Sequence, residues 1–283
     1  MDTQRTLVLI TGANQGIGYE VAKLLLSSQE NYYILLGSRD AERGAKAVAE
    51  LDPTGQSVEL VTIDVSDDAS IEQAAEHVDS KHGRLDILVN NAGINNELDA
   101  LLQQRKKQEE NNPDGSSDFV KLREEMKLQK TKKADLSQLR KLYRDAYEVN
   151  VFGAAATTEA FKSLLAKAVA LPPRIVFVSS HTGSMGLRSE QSLGNWEKLR
   201  SPSFPIYRST KAALNMLTLH YAALFEEQGW KVNASAPNLT ATNFSRGTGR
   251  PASESAVNIV RLATLSADGE TGTYSDENGT VPW

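Results

Sequence analysis

The sequence predicts an α/β fold, a Rossmann-type doubly wound parallel sheet with helices on both faces. Short runs rich in Val, Ile and Leu alternate along the chain with longer stretches of helical character, an order typical of strand–helix–strand units. Several strand-like runs are continuously apolar, as expected for strands of a parallel sheet that is covered on both faces. Because the 283 residues contain no internal repeat and no flexible linker, we expect a single domain over residues 1–283.

The same patterns place the individual strands and helices in chain order. The expected strands are the β-rich runs Thr6–Ile10, Tyr32–Leu36, Val58–Asp64, Ile87–Asn90, Arg174–Ser179 and Lys231–Ala236. The expected helices lie between them and include Gly18–Ser28, Ala41–Glu50, Ser70–Lys81 and Ala212–Gln228. This alternation runs over the whole chain and favours one doubly wound sheet over two domains.

A charged insertion, residues about 95 to 145, interrupts this alternation. It is rich in Lys, Arg, Glu, Asp and Gln, and its mixed charge argues against a basic nucleic-acid patch. Apolar residues recur there at helical spacing, which predicts two amphipathic helices, at Phe119, Leu122 and Met126 and again at Leu136, Leu139 and Tyr143. A solvated surface insertion and a lid or partner surface are both open interpretations.

The composition argues against several classes of function. A net charge of −5 gives no general attraction to nucleic acid or to an anionic membrane. The absence of Cys removes disulfides, thiolate catalysis and Cys-ligated zinc, and no pair among the four His has metal-ligand spacing, so no metal is expected. The chain has no long apolar run and no start typical of a signal peptide. We therefore expect a cytoplasmic protein with a small-molecule substrate.

The turn after the first strand has the pattern of a phosphate-binding loop. Thr11–Gly18 contains glycines spaced G-x-x-x-G-x-G and leads directly into a helix. Gly12 permits the tight turn, Gly16 lets the backbone approach a pyrophosphate, and Gly18 allows close packing of helix on strand. The helix N-terminus would face the phosphates, so the predicted dinucleotide contacts in this loop are Gly12, Asn14, Gln15, Gly16, Ile17 and Gly18.

Arg39 indicates which dinucleotide is bound. It lies at the end of the second expected strand, where an acid holds a ribose hydroxyl and an Arg accommodates a 2′-phosphate. A guanidinium binds phosphate bidentately, which favours NADP(H) over NAD(H). The alternative is a surface Arg paired with Asp40 or Glu42, and Asp40 is one position late for the ribose acid.

Tyr207, Lys211 and Ser180 are the candidates for the reaction centre. Tyr207 and Lys211 are four residues apart and share one face of a helix. A nearby ammonium favours the phenolate, so we expect Lys211 to lower the Tyr207 pKa and to make Tyr207 an acid/base. Ser180 follows an expected strand at the carboxyl edge of the sheet, where it can hydrogen-bond a substrate oxygen.

Taken together, these motifs resemble the short-chain dehydrogenase/reductase family, carbonyl-reductase-like branch, over nearly the whole chain. Their joint order and spacing is far more specific than any one of them. The matching positions are Thr11–Gly18, Asp64-Val65, Asn90-Asn91-Ala92-Gly93, Asn150, Ser180, Tyr207-x-x-x-Lys211 and Pro237 through Thr242.

The resemblance implies a role for each catalytic position. Tyr207 would give the proton to the carbonyl oxygen, and Ser180 would orient and polarise that carbonyl. Lys211 would hold the nicotinamide ribose and lower the Tyr207 pKa. Asn150 would anchor a water in a proton relay to Lys211.

Other positions would contact the cofactor. Asp64 would contact the adenine, unless it only caps the following helix, and Asn90 and Gly93 would line the adenine-ribose side, unless the asparagines only satisfy the turn. Thr242 would bind the nicotinamide carboxamide. The remaining cofactor contacts implied are Val65, Ala92, Pro237 and Thr240.

The chain departs from the family pattern in three places. Pro237-Asn238 replaces the usual Pro-Gly, and we expect Asn238 to tolerate the left-handed turn that Gly would take. The insertion precedes Asn150 and lies beside the helix that often forms the family's dimer face, so we expect a monomer or a dimer. A second extra loop, about residues 187–204, carries Trp196 and Phe204, which can cover an apolar substrate.

The leading hypothesis is an NADPH-dependent reductase of a ketone, aldehyde or quinone, or the reverse alcohol oxidation. A non-catalytic NADP(H)-binding sensor or scaffold protein is the alternative, with the insertion as its partner surface. An epimerase or dehydratase on the same fold is a more distant alternative hypothesis. His181, beside Ser180, is either a neighbour of the substrate pocket or a structural residue.

Overall fold

The computed structural model describes residues 5–28, 31–97, 99–100, 135–170, 172–189 and 204–283. Two of the sequence predictions lie outside these residues. They are the helix expected around Phe119, Leu122 and Met126, and the position of Trp196 in the extra loop.

One eight-stranded sheet forms the centre of the described fold. The strands are β1 (Thr6–Ile10), β2 (Tyr32–Ser38), β3 (Val58–Thr62), β4 (Ile87–Asn90), β5 (Arg174–Val178), β6 (Lys231–Ser235), β7 (Tyr274–Asp276) and β8 (Gly279–Thr280). Their order in the sheet is β3-β2-β1-β4-β5-β6-β7-β8, and all pairs are parallel except the last, β7 with β8. The predicted fold class is confirmed.

Eight α-helices of the described residues accompany the strands. They are α1 (Gly16–Ser27), α2 (Ala41–Leu51), α3 (Asp68–His82), α4 (Leu136–Tyr147), α5 (Gly153–Leu165), α6 (Met185–Ser189), α7 (Pro205–Leu224) and α8 (Ala252–Ala263). A π-helical turn, Glu148–Phe152, joins α4 to α5. Among the described residues, no helix has both the length and the apolar character that a membrane span requires.

Helices cover both faces of the sheet, as predicted. Leu7 and Leu9 of β1 pack in the cluster that contains residues of α3, α5 and α7. Val8 and Ile10 of the same strand pack in the cluster that contains residues of α1, α2 and α8. Successive side chains of a strand point to opposite faces, so the continuously apolar run of β1 serves two cores.

Strands β1 and β4 are neighbours in the sheet and mark the point at which its strand order changes direction. β2 and β3 lie on one side of β1, whereas β4, β5 and β6 lie on the other. Such a switch point opens a crevice at the carboxyl ends of the strands, where ligands bind in this class of sheet. The turns after β1, β4, β5 and β6 therefore meet at one edge.

The boundaries of α7 differ from the prediction. The expected helical stretch Ala212–Gln228 and the helical turn expected at Tyr207 and Lys211 form one helix, Pro205–Leu224, which begins at Pro205, a favourable first helical residue. Tyr207 and Lys211 thus lie in its first two turns. The spacing of Leu136, Leu139 and Tyr143 correctly predicted a helix, α4.

Candidate active site

A cavity of about 1060 Å³ lies at the carboxyl ends of the strands. Pockets for small molecules occupy about 300–1,000 Å³, so this cavity can take a ligand larger than most. Most predicted site residues line it, namely Gly12, Asn14, Gln15, Gly16, Ile17, Arg39, Asp64, Val65, Ala92, Gly93, Ser180, Phe204, Tyr207, Lys211, Pro237, Thr240 and Thr242. Three predicted site residues are not part of the cavity wall: Gly18, Asn90 and Asn150.

The loop after β1 exposes backbone to the cavity. Gly12 and Gly16 both have φ of +64°, a conformation that side-chain-bearing residues rarely adopt. A Cβ on Gly16 would lie 3.3 Å from Cγ2 of Thr242. Gln15, the N-cap residue of α1, accepts a hydrogen bond from Asn243 Nδ2 at 2.9 Å instead of capping the helix. The first-turn amides of α1 are therefore left for an anion.

Asn91, which sequence reasoning missed as a site residue, supports this loop. Its Nδ2 donates to the carbonyls of Thr11 and Gly12 at 2.8 and 3.1 Å, and it lines the cavity. Gly18 is buried against it, because a Cβ there would lie 2.5 Å from Asn91 Nδ2. The packing role predicted for Gly18 agrees with this geometry.

Asn90 is turned away from the cavity. Its Nδ2 donates to Thr158 Oγ1 of α5 at 3.0 Å. Leu88 of β4 faces the same core, and residues two apart on a strand point to the same side. The alternation of β4 therefore directs Asn90 towards α5, and Asn91 lines the cavity in its place.

Two arginines and two aspartates lie on the cavity wall after the ends of β2 and β3. Arg39 and Arg43 both line the cavity, and Arg43 is a second residue that sequence reasoning missed. Asp40 caps α2 by accepting from the Arg43 amide at 2.9 Å and also accepts from Arg43 Nε at 2.6 Å. These hydrogen bonds lower the Asp40 pKa. The carboxylate of Asp40 is thus engaged by Arg43, while Arg39 faces the cavity.

Asp64 lies beside these arginines and keeps its negative charge. Burial alone raises its pKa, but hydrogen bonds from Ser66 and the nearby Arg39 lower the pKa below its ordinary value. The Asp64 Oδ1 accepts from the Ser66 amide at 3.0 Å and from its hydroxyl at 2.7 Å. Helix α3 is capped by Asp67, so Asp64 is not its cap.

Tyr207, Ser180 and Lys211 meet on the cavity wall. The Ser180 side chain is close enough to the Tyr207 phenol to lower its pKa, and Ser180 Oγ itself lies 2.9 Å from Thr182 Oγ1. Lys211 Nζ lies 5.7 Å from the centre of the Tyr207 ring and donates to the carbonyl of Val178, the last residue of β5, at 2.8 Å. The strand and the first two turns of α7 thus bring together three groups that are far apart in sequence.

The expected lowering of the Tyr207 pKa is wrong for this arrangement. Burial raises the pKa of Tyr207 to about 12, although the Ser180 side chain acts in the opposite direction. Burial also lowers the pKa of Lys211 to about 8, because the charged form of each group is disfavoured away from water. Tyr207 is therefore a protonated phenol at neutral pH, the form needed for a proton donor.

A hydrogen bond from β7 fixes the backbone of Ser180. The Tyr274 hydroxyl donates to the Ser180 carbonyl at 2.6 Å. His181 lies buried with its Nε2 2.9 Å from Asp276 Oδ2, and it also lines the cavity. Both interpretations of His181 therefore apply, since it is a pocket neighbour with a structural partner.

Asn150 lies in the π-helical turn, a feature that often marks functional sites. Its Oδ1 accepts from the Ile94 amide at 2.8 Å, and its Nδ2 donates to the Ile94 carbonyl at 2.9 Å and to Thr210 Oγ1 at 3.0 Å. Its side chain thus joins the loop after β4 to α7. The water relay stays a prediction.

Two phenylalanines line the cavity, and one of them packs against Tyr207. Phe244, a further residue that sequence reasoning missed, packs against Tyr207 with ring centres 5.4 Å apart, and Phe204 also lines the cavity. The only signal for Phe244 was its position two residues after Thr242.

Asn238 does not take the left-handed turn that we expected. The non-glycine residues with positive φ in the described chain are Phe204 and Arg246. The Asn238 Nδ2 instead donates to Glu277 Oε1 at 2.8 Å. Thr240, another loop residue, hydrogen-bonds the Asn238 carbonyl at 2.7 Å and shares a hydrogen bond with Ser255.

Comparison with known proteins decides the family. A family model described as short chain dehydrogenase matches residues 6–113 and 127–252. This protein belongs to the short-chain dehydrogenase/reductase family. The predicted family is confirmed, and the gap between the two matched ranges falls inside the predicted insertion.

Several members of the short-chain dehydrogenase/reductase family are similar to this chain over nearly its full length. It is 36% identical over 284 residues to the short-chain dehydrogenase anuI of Penicillium roqueforti, which covers 98% of this chain and 96% of that protein. The structure of salutaridine reductase from Papaver somniferum matches with a TM-score of 0.72 and 27% identity over 95% of this chain and 99% of that one. NADPH-bound carbonyl reductase from chicken fatty liver matches with a TM-score of 0.72 and 25% identity over 99% of this chain and all 100% of that one.

Proposed function

We propose that this protein is an NADPH-dependent reductase that converts a ketone, aldehyde or quinone into an alcohol, or catalyses the reverse, with Tyr207 as the acid/base. The observation that carries the proposal is the meeting of Tyr207, Ser180 and Lys211 on the wall of a cavity that Arg39 and Arg43 also line. A proton donor and residues that can bind phosphate thus share one space. The carbonyl-reductase-like branch is part of this proposal.

The cavity fits a dinucleotide. The loop of Gly12 and Gly16 offers backbone amides to a pyrophosphate, and a Cβ at Gly16 would fill that space against Thr242. Arg39 and Arg43 would hold a 2′-phosphate, because a guanidinium pairs with phosphate through parallel hydrogen bonds. NADPH-bound carbonyl reductase from chicken, a relative of this chain, supports the same preference.

Other residues would hold the remaining parts of the dinucleotide. Asp64 and Val65 would contact the adenine, and Asn91, Ala92 and Gly93 also line the cavity. Lys211 would bind the nicotinamide ribose, and Thr242 would bind the carboxamide. When bound, NADPH supplies the hydride.

The chain's own residues donate the proton and stabilise the charges that form during its transfer. The Tyr207 hydroxyl, with a pKa of about 12, gives its proton to the carbonyl oxygen as negative charge develops there. Ser180, which lies close to Tyr207, orients that oxygen and stabilises its charge. The Lys211 ammonium lies close enough to favour the negative charge that forms on Tyr207.

The phenylalanine rings that line the cavity favour a substrate with apolar bulk. Phe244 packs against Tyr207, and both Phe244 and Phe204 line the cavity. Apolar ligands gain free energy when such surfaces are removed from water. The contribution of Trp196, the monomeric or dimeric state and the cytoplasmic location stay predictions.

The test is to follow NADPH and NADH oxidation with a panel of aldehydes, ketones and quinones, using NADPH deuterated at C4 to trace the hydride. We expect turnover with NADPH and deuterium on the carbinol carbon of the product. Turnover with NADH alone would contradict the cofactor assignment and leave the reductase. Tight NADPH binding without turnover over the panel would favour the sensor or scaffold alternative.

A further inference from the structure

Helix α7, which carries Tyr207 and Lys211, begins without a cap from its own N-terminal residue. Phe204 occupies the N-cap position in a left-handed conformation with φ of 57°, and its ring has no acceptor for the first-turn amides. Pro205 follows as the first helical residue and lacks an amide hydrogen. The amides of Ile206 and Tyr207 therefore need an acceptor from elsewhere in the chain.

Glu97 supplies this acceptor from a position 110 residues earlier. Its Oε2 accepts from the Tyr207 amide at 2.7 Å, and its carboxylate also accepts from the Ile206 amide. A carboxylate at a helix N-terminus also interacts favourably with the helix dipole. The cap of α7 is thus a long-range contact with the segment that follows β4.

The capping carboxylate of Glu97 is buried, and the removal of a carboxylate from water costs free energy. Glu97 is 6% exposed. Burial raises its pKa, whereas the two amide hydrogen bonds and the charge of Arg208 act in the opposite direction. Tyr143 of α4 also faces it, since the charge of Glu97 raises the Tyr143 pKa. A Ser at position 204 would cap the helix without burying a carboxylate, so the use of Glu97 points to a role beyond closing a helix end.

Glu97 belongs to segment 93–97, of which Gly93, Ile94 and Asn95 line the cavity, and a Cβ on Gly93 would lie 3.6 Å from Lys211 Nζ. Ile94 of this segment exchanges two hydrogen bonds with Asn150, whose amide also donates to Thr210 on α7. Helix α7 is therefore joined to the same segment twice, by Glu97 at its first turn and through Asn150 near its second turn.

We propose that Glu97 is a positioning residue for carbonyl reduction. Its carboxylate fixes the first turn of α7 against segment 93–97 and so sets the place of the Tyr207 hydroxyl relative to Ser180. The proposal rests on the proposed function, because it acts through the proton donor. A displacement of about 1 Å in a reacting group can lower a rate by about 100-fold, so a small shift of this turn has a measurable effect.

The test compares Glu97→Ala with Glu97→Gln, which keeps an acceptor oxygen at the same reach. Glu97→Ala is expected to lower kcat by about tenfold or more while KM for NADPH stays unchanged, and Glu97→Gln is expected to restore most of the loss. The matched control is Asp67→Ala. Asp67 caps α3 by accepting from the Ala69 amide at 3.1 Å, and we expect this variant to lose stability but keep kcat.

A second readout needs neither substrate nor cofactor. Hydrogen exchange at the Ile206 and Tyr207 amides is expected to accelerate in Glu97→Ala and to return towards the wild-type rate in Glu97→Gln. Wild-type protein with protected amides but no turnover would contradict the proposed function while leaving the cap in place. The two proposals can therefore fail separately.

The positioning role is overturned by either of two results. One is a folded Glu97→Ala with wild-type kcat, and the other is an equal loss of kcat in Glu97→Ala and Glu97→Gln, since the acceptor oxygen would then not matter. If Glu97→Ala does not fold, Glu97→Asp replaces it, because that variant keeps the charge but withdraws the oxygens by one methylene. Lowered kcat in folded Glu97→Asp supports the role, and wild-type kcat overturns it.

Discussion

Replacing Arg39 by Ala is expected to impair the use of NADPH and to leave the use of NADH nearly unchanged. Arg39 follows β2 and lies on the wall of the cavity. The carboxylate of Asp40, its neighbour in the chain, is engaged by Arg43 at 2.9 and 2.6 Å. The guanidinium of Arg39 is therefore placed to bind a phosphate that NADPH has and NADH lacks.

The size of the effect follows from the exposure of Arg39. Hydrogen bonds to charged groups contribute about 1.5–3 kcal/mol, and solvent screening at an exposed residue favours the lower part of this range. A loss of about 1.5–2 kcal/mol corresponds to a decrease of about 10- to 30-fold in kcat/KM for NADPH.

The assay measures kcat/KM for both nucleotides and the Kd of NADPH by fluorescence. Lys46→Ala is the matched control, because Lys46 lies on the same helix as Arg43, is exposed and pairs with Glu50 at 4.0 Å. It removes one positive charge near the site without touching the cavity. Equal losses for NADPH and NADH in Arg39→Ala, or an equal loss in Lys46→Ala, would refute the reasoning.

Three further predictions concern stability and pH. Gly16→Ala places a side chain at a φ of +64° and should lower the free energy of unfolding by about 1–2 kcal/mol and weaken NADPH binding, measured by denaturant titration and fluorescence. Carbonyl reduction should be constant below pH 8 and decline above it, because Lys211, with a pKa of about 8, then loses the charge that stabilises the Tyr207 phenolate; a rate that rises through pH 8 would contradict this. His181→Ala leaves the carboxylate of Asp276 buried without its 2.9 Å partner and should cost about 1–3 kcal/mol in thermal unfolding, whereas an unchanged Tm would show that the pair is not stabilising.

Much of the fold could be predicted because its signals are local. The apolar run of β1, the glycines at 12 and 16, and the helix after them lie within one short stretch of sequence. The period of two in β4 was also present in the sequence, and it would have directed Asn90 towards α5 and Asn91 towards the cavity. The helix expected to open at Tyr207 begins two residues earlier, at Pro205, which is a favourable first residue.

The missed parts of the site depend on contacts between distant residues. The hydrogen bond from the Tyr207 amide to Glu97 spans 110 positions, so no local pattern indicates it. Phe244 contacts Tyr207 from 37 positions further along the chain, which no local pattern indicates. The pKa of Tyr207 was expected to fall because the charge of Lys211 was considered without the burial of both groups, and burial is a property of the folded chain.

The central claim is that Tyr207 transfers the proton during NADPH-dependent carbonyl reduction. The most direct measurement is kcat of Tyr207→Phe beside its Kd for NADPH, with a substrate that the wild-type protein reduces. The account predicts that kcat falls by about 10²–10⁴-fold while NADPH still binds with the wild-type Kd. A Tyr207→Phe variant that reduces the carbonyl at the wild-type rate would contradict it.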